Sequence, residues 1–424
     1  MKRTATVAFV LALALTILSC GGKQNESQGS SSAPGGASGG AAGQPGGKDG
    51  AVKELRVGEF ASMTGATATF GISMDHGILM AVDEANVAGG VAGVPIRVIS
   101  EDDQGKPEEA ATAANKLISQ DQVAAVLGEV ASSNSLAAAP ICQQAQVPMI
   151  TPASTNEKVT ETGDYIFRVC FIDPFQGAVM AKFARQSLGL SRVAILRDVR
   201  SDYSLGLASA FRKTFEEAGG TIVADESFQQ GDVDFRAPLT AIGAAKPDGI
   251  FVPGYYTDVG LIVRQARDLG IKVPMMGGDG WDSPKVLEIG KEAIEGCYFS
   301  NHYANDDESP VVQEFIGKYE QRYGAKPDAM AALGYDAARL LFDALQRVEQ
   351  NSPGTVATLA DGHSAGKKKL RDARAALRDE IAATKGFPGV TGSITIDPQR
   401  NARKSAVVLQ IRDGGFHFVE RVEP

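Results

Sequence analysis

Two short loops in this chain carry side chains able to hold an anion: Ala131-Ser-Ser133 and Ala153-Ser-Thr155. Each follows an apolar run, Val123-Ala-Ala-Val-Leu127 and Val147-Pro-Met-Ile150, of the length expected for a strand buried on both faces. Between the runs, Leu136, Ala137 and Ile141 can bury one face of a helix that Ser133 or Asn134 can cap. The segment from Gly128 to Thr155 therefore reads as part of a strand-helix-strand unit of a parallel sheet. Its loops fall at the carboxyl edge, where open α/β sheets take ligands. Backbone amides and short hydroxyls there suit a carboxylate or similar anion. Ordinary turns with helix-capping Ser and Thr would give the same pattern in this stretch alone.

Catalytic chemistry finds no comparable signal. The chain has no G-x-S-x-G, no G-x-x-x-x-G-K-[ST], no H-E-x-x-H and no G-x-G-x-x-G after a strand. His76, His302, His363 and His417 are scattered without metal-ligand spacing. No catalytic residue, cofactor or metal is expected. Of the four Cys, Cys142, Cys170 and Cys297 show no C-x-x-C spacing and sit in apolar patterns, as buried thiols do. A Cys142–Cys170 bridge stays open in an oxidising compartment.

The elements that must position the loops alternate. Leu55 to Phe60 is a first strand, followed by a helix from about Gly71 that Gly89-Gly90 stops. Pro95 to Ile99 is a second strand with Glu101-Asp-Asp103 as its polar exit, and a helix from Glu108 to Ile118 leads into the loop-bearing unit. A second series runs from Tyr165 to Phe299, with strands at Arg192 to Leu196, Thr221 to Val223, Asp248 to Val252, Val273 to Met276 and Gly296 to Phe299 separated by helical patterns. The fold class is α/β: two Rossmann-like lobes with parallel-sheet cores and a cleft between them.

The amino-terminal stretch bears on location. Lys2 and Arg3 precede an apolar run from Val7 to Leu18, too short to span a bilayer but fitting a signal-peptide core. Residues 1–20 are expected to be a signal ending in a lipobox-like Ile17-Leu-Ser-Cys20, with Cys20 lipidated. An ordinary secretory signal with an incidental Cys is the alternative. Residues 21–52 are rich in Gly, Ser, Ala and Pro and are expected to form a flexible tether reaching roughly 30 Å. The remaining body is long enough for two domains, and 43% hydrophobic residues can furnish their cores. A formal charge of -9, with no basic block beyond Lys367-Lys-Lys369, argues against a nucleic-acid partner.

The pieces Gly58-Glu-Phe-Ala-Ser-Met-Thr-Gly65, Glu101-Asp-Asp103, Gly128 to Ser133, Met149-Ile-Thr-Pro-Ala-Ser-Thr155, Gly254-Tyr255 and Gly392-Ser-Ile-Thr-Ile-Asp397 resemble the periplasmic leucine/isoleucine/valine-binding proteins over nearly all of the body. The resemblance implies a type I periplasmic binding fold with three crossovers, near Phe171, Asn301 and Gly386. The first lobe would then be 53–171 with 302–385, and the second 172–301 with 386–424. It also implies roles. Ser132, the backbone of Ala153, and Thr155, with Ser154 in the same loop, would hold an α-carboxylate and part of an ammonium. Tyr203, Tyr255 and Asp279 would close over the ligand from the second lobe, Asp279 standing where some members carry Glu. Tyr335 would be a further first-lobe aromatic, and Phe70 would face an apolar ligand side chain. Gly105 and Ala131 occupy the positions of the family's first-lobe disulfide, so that bridge is absent here.

The function so implied is capture of a branched-chain or similar amino acid by lobe closure and delivery to the permease of an ABC transporter. The protein would act as an extracytoplasmic, membrane-anchored monomer. The alternative is a ligand sensor, or a binder of amide or urea-type solutes, on the same fold.

Overall fold

The computed structural model describes residues 53–424; the expected signal and tether, with Cys20, lie outside the described residues. The first sheet contains β1 (Leu55–Ala61), β2 (Ile96–Asp102), β3 (Ala125–Leu127), β4 (Met149–Thr151) and β5 (Ile166–Arg168), all parallel, in the order β2-β1-β3-β4-β5. The second contains β6 (Arg192–Asp198), β7 (Thr221–Phe228), β8 (Gly249–Phe251), β9 (Met275–Gly277) and β10 (Tyr298–Asn301) in parallel, and the order β7-β6-β8-β9-β10 repeats that of the first. In both sheets β3 to β5 and β8 to β10 step away in one direction while β2 and β7 lie on the other side. The reversal of strand order creates a crevice at the carboxyl ends of β1 and β3, and again at those of β6 and β8.

Strands β3, β4, β8 and β9, and the edge strand β5, are entirely buried, as short apolar runs of parallel sheets are. The helix Ala68–Val87 packs against Ala329–Asn351 so closely that a Cβ on Gly77 would stand 2.0 Å from the Ala331 carbonyl oxygen. This contact carries the late helical region back to the first sheet, giving the chain its discontinuous order. Cys142, Cys170 and Cys297 are free and buried, and burial pushes their thiols up to about 12, about 12 and about 11. The Cys142–Cys170 bridge left open by the sequence does not form.

Two expectations need correction. The helix Ser132–Ala145 has Ala131 as its N-cap and no side-chain cap, because the Ser133 hydroxyl is engaged elsewhere. The segment after Gly386 does not pass whole to the second lobe. A small antiparallel sheet of β11 (Phe387–Gly389), β12 (Gly392–Ile396) and β13 (Ala402–Arg403) is tied to first-lobe groups. Val390 and Thr391 amides donate to the Asp336 carboxylate at 2.7 and 2.9 Å, and Asn401 accepts from Arg168 at 2.7 Å. Only β14 (Ala406–Arg412) and β15 (Gly415–Val422) join the second sheet, both antiparallel. β15 escaped the sequence reading because it is a half-exposed edge strand without an apolar run.

Candidate functional site

The carboxyl ends of β3 and β4 form the first half of the site. Ser132 opens its helix, fully buried, and its Oγ accepts from the Asn156 amide at 3.2 Å, which draws the two hydroxyl loops together. Thr155 is buried and its Oγ1 has no partner. Ser154 serves another purpose. Its hydroxyl donates to the Glu129 carbonyl at 2.8 Å and pairs with Ser135 Oγ at 2.7 Å, so it ties the loops from inside the lobe, and the expectation that it contacts ligand is corrected. Arg168, at the end of β5, underpins the same loop and was missed by the sequence reading. It is fully buried and donates to the carbonyls of Ser154 and Asn156 and to Asn401 and Thr160. Its guanidinium therefore fixes where the Ala153 backbone and Thr155 stand, and leaves a positive charge behind the loop. The signal available was an Arg inside an otherwise apolar strand, a residue type almost never fully buried without partners.

The second half lies at the ends of β6, β8 and β9. Tyr203 and Tyr255 stack at 5.2 Å with planes 11° apart, and Tyr203 Oη accepts from the Gly280 amide at 3.1 Å. Gly278 permits this approach, since a Cβ there would sit 2.5 Å from the Tyr203 hydroxyl. Trp281 pins the β9 loop by donating to the Val252 carbonyl at 2.9 Å. Asp279 is buried; its Oδ2 meets His302 Nε2 at 3.0 Å and its Oδ1 has no partner. Burial, then the charge of Asp279, pushes the Tyr203 hydroxyl well above its ordinary value.

The halves touch. Ser133 Oγ donates to Asp202 Oδ2 at 2.9 Å and accepts from the Asp202 amide at 3.0 Å, while Asn156 Nδ2 donates to the Asp202 carbonyl at 2.7 Å. Thr69 Oγ1 and Ser283 Oγ lie 2.9 Å apart, and Thr257 Oγ1 donates to the Ala66 carbonyl at 2.8 Å. Phe70 meets Tyr256 edge-on at 4.8 Å and Tyr255 at 6.0 Å. Of the residues singled out in the sequence, Phe70 thus meets Tyr255, and Tyr255 stacks on Tyr203, while the loops that bear Ser132 and Thr155 are joined to Asp202, the neighbour of Tyr203.

Tyr335 does not join them. Its hydroxyl donates to Glu84 at 2.6 Å and Phe315 and Arg339 cover its ring. Glu84 follows Phe70 on one helix by roughly 21 Å of axis, so the Tyr335 side chain is directed away from Phe70 and its expected ligand role is corrected. Asp173, by contrast, was overlooked. Its amide donates to the Thr155 carbonyl at 2.9 Å, and burial, then the neighbouring Asp279 charge, raises its carboxyl to about 7. Glu129, behind the Ser132 loop, is raised to about 8 by burial and by Asp103, and accepts from Ser62 Oγ at 2.7 Å. A site that sets hydroxyls and a braced loop against a buried carboxylate can hold a small solute carrying both charges.

Fold and cleft together define a two-lobed solute-binding protein. Residues 54–415 match the family model described as periplasmic binding protein. The chain is 39% identical to the leucine-binding protein LivK of Thermotoga maritima, with a TM-score of 0.79 over 87% of this chain and 99% of that one. It is 33% identical to LivJ of Streptococcus pneumoniae, a branched-chain amino acid transporter substrate-binding protein solved with isoleucine, at TM-score 0.78 over 88% and 100%. It is also 33% identical to the Leu/Ile/Val-binding protein BraC3 of Rhizobium johnstonii over 70% of this chain and 77% of that one. A more distant neighbour, a solute-binding protein of Rhodopseudomonas palustris HaA2 in complex with p-hydroxybenzoic acid, is 26% identical at TM-score 0.73 over 87% and 97%. The chain belongs to the periplasmic binding protein family and is similar to members named as leucine/isoleucine/valine-binding proteins. It is a binding protein and not an enzyme, and the family places it outside the cytoplasm. Among the described residues, no helix is long and apolar enough to cross a membrane.

Proposed function

We propose that this protein captures a branched-chain or similar apolar amino acid between its lobes and delivers it to the permease of an ABC transporter. The observation that carries the reading is Asp279: a buried carboxylate with one oxygen lacking any protein partner, near enough to interact by charge with Asp173, whose amide holds the Thr155 carbonyl. A buried charge without a partner is costly, so the cleft favours a ligand that brings an ammonium to it. The same charge disfavours an aromatic carboxylate such as the one held by the more distant neighbour, which would bring a second anion and no cation. The first-lobe loop, at the start of the helix Ser132–Ala145 with its free amides, suits the α-carboxylate. Phe70 offers the side chain an apolar wall.

The lobes are read as 53–171 with 302–385 against 172–301 with the strands β14 and β15, hinged at the crossovers. Lipidation of Cys20 would hold the body near its permease. The test is a thermal-shift screen of the wild type with the common amino acids and with p-hydroxybenzoate. A ligand at a hundred times its dissociation constant adds about 2.7 kcal/mol of stability. Stabilisation by p-hydroxybenzoate but by no amino acid would overturn the reading.

A further inference from the structure

We propose that His302 is a positioning residue for the ligand's ammonium: as a neutral imidazole it donates to Asp279 Oδ2 and holds that carboxylate so that Oδ1 is left for the ligand. This rests on the amino acid reading above. His302 follows β10 on the second crossover and is fully enclosed. Its ring stacks on Phe171 of the first crossover at 3.8 Å with planes 19° apart, and its Nε2 stands 3.0 Å from Asp279 Oδ2. Two contacts on perpendicular sides of one ring, a stacked face and a hydrogen-bonded edge, leave the imidazole no freedom to turn without losing one of them.

The protonation state follows from the surroundings. Burial pushes the imidazole down to about 4, against the pull of Asp279, and the nearby Lys404 ammonium adds to the lowering. The ring is then neutral under ordinary conditions, with its proton on Nε2 where the carboxylate accepts it. A neutral donor orients the carboxylate without cancelling its charge. An Arg or Lys at this position would neutralise Asp279 and remove its attraction for an ammonium. With Oδ2 engaged by His302 and Oδ1 unpartnered, the carboxylate keeps one acceptor oxygen free. A hydrogen bond of this kind, to a charged group, orients the binding group as outer partners of metal ligands do.

The test compares L-leucine with 4-methylpentanoate, the same molecule without its amino group, by calorimetry on wild type, His302→Leu and His302→Gln. His302→Leu is expected to weaken L-leucine binding by about tenfold or more, as loss of a hydrogen bond to a charged group does. Binding of 4-methylpentanoate, already weak in the wild type, is expected to change by less than about twofold, since no ammonium is involved. His302→Gln, whose amide can return a donor to Oδ2, is expected to recover most of the L-leucine affinity. An equal loss for both ligands, or no recovery in His302→Gln, would make His302 a packing residue and overturn this inference alone. A wild type that binds the two ligands equally would overturn the amino acid reading and this inference with it. Should His302→Leu fail to fold, His302→Asn replaces it: its shorter amide falls short of Oδ2, and affinities equal to those of His302→Gln would overturn the proposal.

Discussion

The two walls of the cleft solve the problem of holding a small solute in different ways. The first-lobe wall is braced from within, the Thr155 hydroxyl apart. Ser154, Ser135 and Thr151 bond to the Glu129 carbonyl or to one another, and Arg168 spends its donors on the loop that bears Ala153 and Thr155. Such a wall is preorganised and changes little on binding. The second-lobe wall keeps a charge unanswered: Asp279 Oδ1 has no partner, and stacked Tyr203 and Tyr255 enclose it beside Asp173. On the proposed function, shape and anion recognition would belong to the first lobe, and discrimination by ligand charge to the second.

The largest effect expected from breaking this division comes from Asp279→Ala. Removing the counter-charge should weaken L-leucine binding by roughly 3–5 kcal/mol in calorimetry, with the melting temperature of the unliganded protein little changed. Near wild-type affinity would mean that another acid, Asp173 first among them, serves the ammonium. The corresponding change in the first lobe should act on folding instead. Arg168→Met strips several buried carbonyls of their donor and should lower unfolding free energy by about 2–4 kcal/mol in denaturant titration.

Ser132→Ala should cost about 1–3 kcal/mol of affinity, less than Asp279→Ala because backbone amides remain at the helix start. A larger loss than that of Asp279→Ala would reverse the division of labour. The smallest effect is expected from Tyr335→Phe, which removes only the bond to Glu84 and should leave affinity within a few tenths of a kcal/mol.

Acidity offers a further measurement on the unliganded protein. Asp173, Asp258 and Asp328 are raised to about 7 and Glu129 to about 8, each chiefly by burial. The folded state then holds protons that the unfolded state has released, and the stability these groups contribute is lost as pH rises through their folded values. The melting temperature should fall between pH 6.5 and pH 8 when followed by calorimetry. His302, held at about 4 in the fold, opposes this fall near pH 6.5, where the unfolded imidazole still releases its proton, and ceases to do so toward pH 8. A rise would show that these carboxyls are ionised in the fold.

Much of this protein was legible along the chain. Apolar runs as short as Val123 to Leu127 and Val147 to Ile150, separated by helical periodicity, specify strand, helix and parallel pairing, because burial on both faces leaves few other solutions. The loops of Ser132 and Thr155 follow from the ends of those runs, whereas Asp279 was singled out only through the family resemblance. What the sequence alone could not decide was which polar groups meet. Ser154 and Thr155 are neighbours in one loop, yet one is consumed inside the lobe and the other left unpartnered. Tyr335 looked like a cleft aromatic, yet its hydroxyl is spent on Glu84. His302 carried no sequence signal because its partners, Asp279 and Phe171, are distant in the chain. Periodicity records the direction in which a side chain is buried, whereas hydrogen-bond partnership depends on how separate elements are brought together, and only the tertiary fold sets that.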